Sequence, residues 1–133
     1  MIPLIFELAK SKEDLVIVGS AVLVYHDFVG EFQDLDIVVT SLDGLENFGQ
    51  IITSSNEKFR TIRHPDKIID VYLCNELVDY VVSGRGVKYI SLRGLCNHYS
   101  QAINDKEMWF SDSTRIKKFG SYLKMFEEHG IRC

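Results

Sequence analysis

Leu15-Val16-Ile17-Val18-Gly19-Ser20 and, fifteen positions after the glycine, Asp34-Leu35-Asp36-Ile37-Val38-Val39 are the two stretches whose reading decides the fold. The first is an unbroken, largely β-branched run that stops at Gly-Ser, which reads as a buried strand passing into a tight turn. Helical spacing resumes over Ala21 to Phe28, and the segment Val29 to Gln33, with its glycine, separates that helix from the second strand. The second strand opens on acidic residues, with Leu35, Ile37 and Val39 alternating with Asp36 and Val38.

Working outward, Pro3 to Lys10 reads as a first helix, with Leu4, Ile5 and Leu8 as its apolar face. Ser41 to Ser54 resembles a capped amphipathic helix, although it contains Gly44 and Gly49. Phe59 and Ile62 lie in an expected strand that turns at His64-Pro65-Asp66 and returns over Lys67 to Cys74, carrying Asp70 among apolar residues. Asn75 to Val82 reads as a short helix and Val87 to Ile90 as a short strand. Two more helices are expected over Ser91 to Asn104 and Ser113 to His129. The expected fold class is α/β in the broad sense (α+β): a small mixed sheet flanked by helices, in one domain over residues 1–133, with its core at about 15–74 and a helical C-terminal part at about 91–130.

The chain has 133 residues, 46% of them hydrophobic, enough for a compact core without disulfides. Its formal charge of −4 argues against a protein that grips nucleic acid over its whole surface, while a local basic face stays open. Cys74, Cys96 and Cys133 are odd in number and widely spaced, and read as reduced thiols rather than a zinc or redox pair. The apolar start, Ile2 to Leu8, is short and followed by charge, so neither a signal peptide nor a membrane span is expected; the expected location is cytoplasmic.

Three features carry chemistry together. Asp34 and Asp36 are two positions apart on an extended chain, so their carboxylates share a face and can converge on a cation; Asp70, on a neighbouring strand, is a third. Such hard oxygen donors suit Mg²⁺ or Mn²⁺, which share their shell with substrate phosphates, and two ions can clamp both ends of an in-line phosphoryl transfer. Gly19 and Ser20, at a strand-to-helix turn, permit close backbone approach and offer N–H groups and a hydroxyl to a triphosphate.

Each feature has an ordinary reading as well. Gly-Ser is a common turn, Asp-x-Asp a common solvated face, and only Asp70, between Ile69 and Val71, demands a cation, a hydrogen bond or an open face. His26, His64, His98 and His129 lack metal-ligand spacing and read as surface or packing residues. Ser83-Gly84-Arg85-Gly86 reads as a turn before it reads as a phosphate loop, and Trp109, Phe110, Tyr99, Tyr122 and Phe126 as core before a base-stacking surface.

Val18-Gly19-Ser20, Asp34-Leu35-Asp36-Ile37 and Ile69-Asp70-Val71-Tyr72, in that order, resemble the signature of the DNA polymerase β-like nucleotidyltransferase superfamily. The Gly19-to-Asp34 interval looks like that of the branch with abortive-infection toxin and lincosamide or aminoglycoside nucleotidyltransferases. The resemblance covers roughly Leu15 to Leu73. It implies an enzyme that transfers a nucleoside monophosphate from a nucleoside triphosphate, ATP by default, to an acceptor hydroxyl of a small molecule, tRNA or protein. Asp34, Asp36 and Asp70 would bind the metal, with Asp70 also the general base, and Gly19, Ser20, Arg115 and Lys117 would contact the nucleotide. The chain departs from the pattern at Gln33, where relatives often carry Ser or Thr, and at Lys118, where many have Asp. The alternative implied by the same resemblance is a non-catalytic nucleotidyltransferase-like binding or regulatory protein, such as a toxin–antitoxin or phage-defence component. In either case a homodimer would supply the wall that so short a chain lacks.

Overall fold

The computed structural model describes residues 3–104 and 113–133, with side chains from residue 116 onward in the second segment. Its elements run α1 (Pro3–Ser11), β1 (Leu15–Val18), α2 (Ser20–Tyr25), β2 (Leu35–Val39), a 3-10 turn (Leu45–Phe48), β3 (Ile51–Thr53), β4 (Phe59–Arg63), β5 (Ile68–Leu73), β6 (Tyr80–Val82), β7 (Lys88–Ile90), α3 (Leu92–Asn104) and α4 (Ser113–Glu128). The chain divides into two compact units, Met1–Ile90 and Ser91–Cys133, at the point where the sequence turns helical.

The first unit is built on a mixed seven-stranded sheet in the order β3-β4-β5-β2-β1-β7-β6. β1 pairs antiparallel with β2 and parallel with β7, while β2 pairs parallel with β5, which in turn pairs antiparallel with β4. β1 sits inside the sheet and is buried along its whole length, as its continuous apolar run requires. α1 packs on β1, and α2 on β1 and β2. α1 directs Leu4, Ile5 and Leu8 into the core; α2 contributes Ala21, Val22 and Leu23 and stacks Tyr25 on Tyr89 of β7 at 4.1 Å between ring centroids.

Two expected helices are replaced by other structure. The stretch 41–54 forms only the 3-10 turn and β3, because Gly44 and Gly49, at φ of 86° and 144°, take backbone conformations no α-helix contains. Ile51 and Ile52 then pair with Ile62 and Thr61 of β4, a role that suits β-branched side chains. In the stretch 75–82, Tyr80, Val81 and Val82 form an edge strand against β7 instead of a helix. Ser83–Gly86 makes the turn between them: the Ser83 amide donates to Val87 O at 2.8 Å and its hydroxyl accepts from the Val87 amide at 3.2 Å.

One charged residue among those described is buried. Lys12 follows α1 and directs its ammonium to Asp43 O (2.8 Å), Ser41 Oγ (3.2 Å) and the Asp14 carboxylate (3.0 Å). Asp14 also accepts from Thr40 Oγ1 at 2.6 Å. Burial alone would raise the Asp14 pKa, but the Thr40 and Lys12 hydrogen bonds and the Lys12 charge outweigh it and bring it down to about 2. This clasp ties the end of α1 to the segment that leaves β2.

In the second unit Tyr99 of α3 lies against Phe119, Tyr122 and Phe126 of α4, with ring centroids 4.7, 5.3 and 6.4 Å away. Of the aromatic residues read from the sequence as core, Tyr99 and Phe126 are buried and Tyr122 is half-buried. The reading of all three cysteines as reduced thiols is corrected here: the fold brings Cys96 of α3 and Cys133, which lies beyond α4, to a Cα separation of 5.3 Å, and they form a disulfide. Cys74 is the one free cysteine, and its burial pushes the thiol pKa up. Among the described residues no helix is long and apolar enough to cross a membrane.

Candidate functional site

The site is set by register. Asp36 pairs with Asp70 across β2 and β5, with Val18 across β2 and β1, and Asp70 in turn pairs with Thr61 of β4. Paired residues on neighbouring strands project from the same face, so Thr61, Asp70, Asp36 and Val18 form one row across the sheet. The opposite face at the same strands holds Ile62, Ile69, Leu35, Ile37 and Val71, all fully buried. Alternation therefore puts the carboxylates on the face opposite these five residues, and both are half-buried there.

Adjacent strands lie about 4.8 Å apart, and like charges directly opposite one another destabilise a sheet. Asp36 and Asp70 stand at such a pair in the middle of the seven-stranded sheet.

Gly19 follows Val18 directly, at the end of β1. It has φ 70° and ψ −155°, a conformation essentially restricted to glycine. The position a Cβ would occupy lies 2.2 Å from Asp36 Oδ2 and 3.0 Å from its Cγ. The Asp36 carboxylate thus rests against the glycine backbone at the start of α2, and no residue with a side chain fits between them. Ser20 is the first residue of α2 and is half-buried.

Asp34 lies in the bend before β2, two positions ahead of Asp36, and is half-buried. Lys67 secures this lead-in: its ammonium donates to Phe32 O at 2.6 Å and lies 4.7 Å from the centre of the Phe32 ring. Among the described residues no group of three or more His, Cys, Asp or Glu side chains is gathered closely enough to hold a metal ion. The pair in register is therefore Asp36 with Asp70, and Asp34 stands next to it in the chain. Lys117 is exposed on α4 in the second unit; the side chain of Arg115, like Trp109 and Phe110, lies outside the described residues.

Of the four histidines, His26 packs its ring between Tyr25 (5.0 Å) and Phe28 (6.0 Å), and burial lowers its pKa. His64 Nδ1 accepts from the Asp66 amide at 3.1 Å in the β4–β5 turn. His129 Nδ1 bonds the Met125 carbonyl at 2.8 Å, and burial lowers the pKa of His98.

The sequence reading missed the residues of β4 that share the carboxylate face. Phe59, Thr61 and Arg63 lie opposite Tyr72, Asp70 and Ile68. The signal was there: a turn centred on Pro65 and Asp66 sets position 61 opposite 70.

Comparison of the chain with protein-family models, curated proteins and solved structures returned no match.

Proposed function

We propose that the chain is a metal-dependent nucleotidyltransferase of the DNA polymerase β-like kind, transferring a nucleoside monophosphate from a nucleoside triphosphate to an acceptor hydroxyl. The observation that carries this reading is the register of Asp36 with Asp70 on one sheet face, with the Asp36 carboxylate seated against Gly19. This supports the reading in part: Gly19, Asp36 and Asp70 adjoin one another across β1, β2 and β5, while Asp34 precedes Asp36 in the bend before β2.

Two carboxylates side by side are a sufficient protein contribution for Mg²⁺ or Mn²⁺, which take the remaining oxygens from water and phosphate. A cation held by Asp36 and Asp70, with Asp34 at hand, would neutralise charge on the triphosphate and on the leaving pyrophosphate. The remaining work falls to the protein. The turn at Gly19 and Ser20 holds the phosphates; the acceptor oxygen attacks the α-phosphorus, the bond from that phosphorus to the bridging oxygen breaks, and pyrophosphate departs. The acceptor proton passes to the Asp70 carboxylate. Asp36, fixed by its contact with Gly19, keeps its oxygens in place through the step.

The test is incubation with α-labelled nucleoside triphosphates and Mg²⁺, with RNA, protein and small-molecule acceptors, alongside calorimetry of triphosphate binding. A Mg²⁺-dependent covalent product that Asp36→Asn and Asp70→Asn each reduce by roughly a thousandfold is expected. Triphosphate binding with no product under any acceptor would leave the regulatory alternative, and no binding at all would leave an α/β interaction module.

A further inference from the structure

The carboxylate row lies at a boundary in the exposure of its own face. At β1 and β2 that face is closed: Val16, Val18 and Val38 are 0, 4 and 5% exposed. At β4 and β5 it is open: Phe59, Thr61 and Tyr72 are half-buried, Arg63 is exposed, and Ile68 is 43% exposed. The glycine turn follows β1 on one side of Asp36, and β4 lies on the far side of Asp70. If the triphosphate rests at the turn, as the proposed function has it, the acceptor must approach Asp70 over β4.

That surface has a definite chemistry. One row from Asp70 towards the turn at Pro65, Arg63 is exposed and makes no hydrogen bond or ion pair with the described residues. One row the other way, Phe59 and Tyr72 form a tilted aromatic pair with ring centroids 5.5 Å apart. Rows on one strand face are about 6.7 Å apart, a spacing comparable to successive nucleotides of an extended strand. Lys58 is exposed at the same end as Phe59, and with Arg63 it supplies the positive charge at this surface, since Arg60 projects from the other face and bonds the Glu57 and Phe59 carbonyls and Lys67 bonds Phe32 O. A cation and an aromatic pair flanking the base-bearing row match a phosphodiester with its bases, and not a cationic small molecule such as an aminoglycoside.

We propose that the β4–β5 hairpin is the acceptor-binding surface and that the acceptor is the end of a single-stranded nucleic acid. Arg63 takes a backbone phosphate, the Phe59–Tyr72 pair takes a base, and the terminal hydroxyl reaches Asp70. This rests on the nucleotidyl-transfer reading for the identity of the site, but the binding itself is measurable without turnover.

The experiment is fluorescence anisotropy of labelled single-stranded RNA and DNA twelve-mers with the full chain, over a series of salt concentrations, for wild type, Arg63→Gln, Phe59→Leu and the control Lys10→Gln. Circular dichroism confirms that each variant is folded. Arg63→Gln is expected to weaken binding about tenfold and to lower the slope of log Kd against log salt by about one. Phe59→Leu is expected to weaken it about tenfold with the slope unchanged, and Lys10→Gln, which removes an exposed cation on α1, to leave it within about threefold of wild type. The RNA and DNA arms show which sugar is preferred. Folded wild-type protein that binds neither oligonucleotide overturns the proposal, as does binding indifferent to both hairpin variants; if that protein still labels a small molecule, the nucleotidyl-transfer reading survives. Binding with the expected dependence, but with no transfer to either strand from a labelled triphosphate, upholds the nucleic-acid surface and overturns the strand end as the acceptor.

Discussion

Gly19→Ala puts the central geometry under direct strain. An added Cβ would stand 2.2 Å from Asp36 Oδ2, and the backbone, at φ 70°, would hold an L-residue in a region it rarely occupies. The backbone term costs about 1–3 kcal/mol. Relieving the contact requires the Asp36 carboxylate to swing away, or β1 to shift against β2, at a cost on the order of 1 kcal/mol more. A loss of about 2–4 kcal/mol in urea unfolding is therefore expected. Gly30→Ala serves as the control, since nothing lies within 4 Å of its built Cβ, and it should stay within about 0.5 kcal/mol of wild type. The second readout is Mg²⁺-dependent triphosphate binding by calorimetry, expected to fall at least tenfold in folded Gly19→Ala, because the displaced carboxylate no longer stands beside Asp70. If Gly19→Ala were as stable as Gly30→Ala and bound triphosphate like wild type, the close approach of Asp36 to the turn would be wrong, and the argument for the site with it.

Two further predictions concern parts of the fold remote from this chemistry. Asp14 has its folded-state pKa lowered from 3.8 to about 2, so the stabilisation it contributes is present above about pH 4 and is lost as pH falls from there towards 2. Because a third of its side chain is exposed, the expected contribution is about 1 kcal/mol, and acid-unfolding curves of wild type and Asp14→Asn should differ near neutral pH and converge only as pH approaches about 2. The Cys96–Cys133 disulfide spans 37 positions, which in the chain-entropy account is worth roughly 4 kcal/mol. Dithiothreitol, or Cys133→Ser, should lower the melting temperature of the Ser91–Cys133 unit, and unchanged melting after confirmed reduction would refute that contribution.

Much of the sheet was legible in the sequence because its strands announce themselves locally. Leu15–Val18 is an uninterrupted apolar run that only an interior strand requires, and Leu35–Val39 is a second, largely β-branched run broken only by Asp36. The His64-Pro65-Asp66 corner likewise marks β4 and β5 as a hairpin. What failed was the reading of 41–54 and 75–82 as helices. In the first, the apolar spacing of Leu42, Leu45, Phe48 and Ile51 fits a helix, but two glycines with positive φ and the pairing of β3 with β4 prevail. In the second, a strand of three residues is too short for any periodicity to show, and only the partner β7 makes it one.

The sequence by itself determined which carboxylates stand out and that Asp36 projects from the face opposite Leu35 and Ile37, because side-chain direction along an extended chain depends on nothing but local geometry. It could not decide that Asp70 stands beside Asp36, that Asp36 lies against Gly19, or that Cys96 meets Cys133. Those are pairings of segments distant in the chain, fixed by strand order, register and helix packing: shifting β5 by one residue would send Asp70 into the buried face and Val71 out of it. Tertiary structure alone also opened the face over β4 and closed it over β1, since exposure depends on what packs above a strand and not on the residues within it.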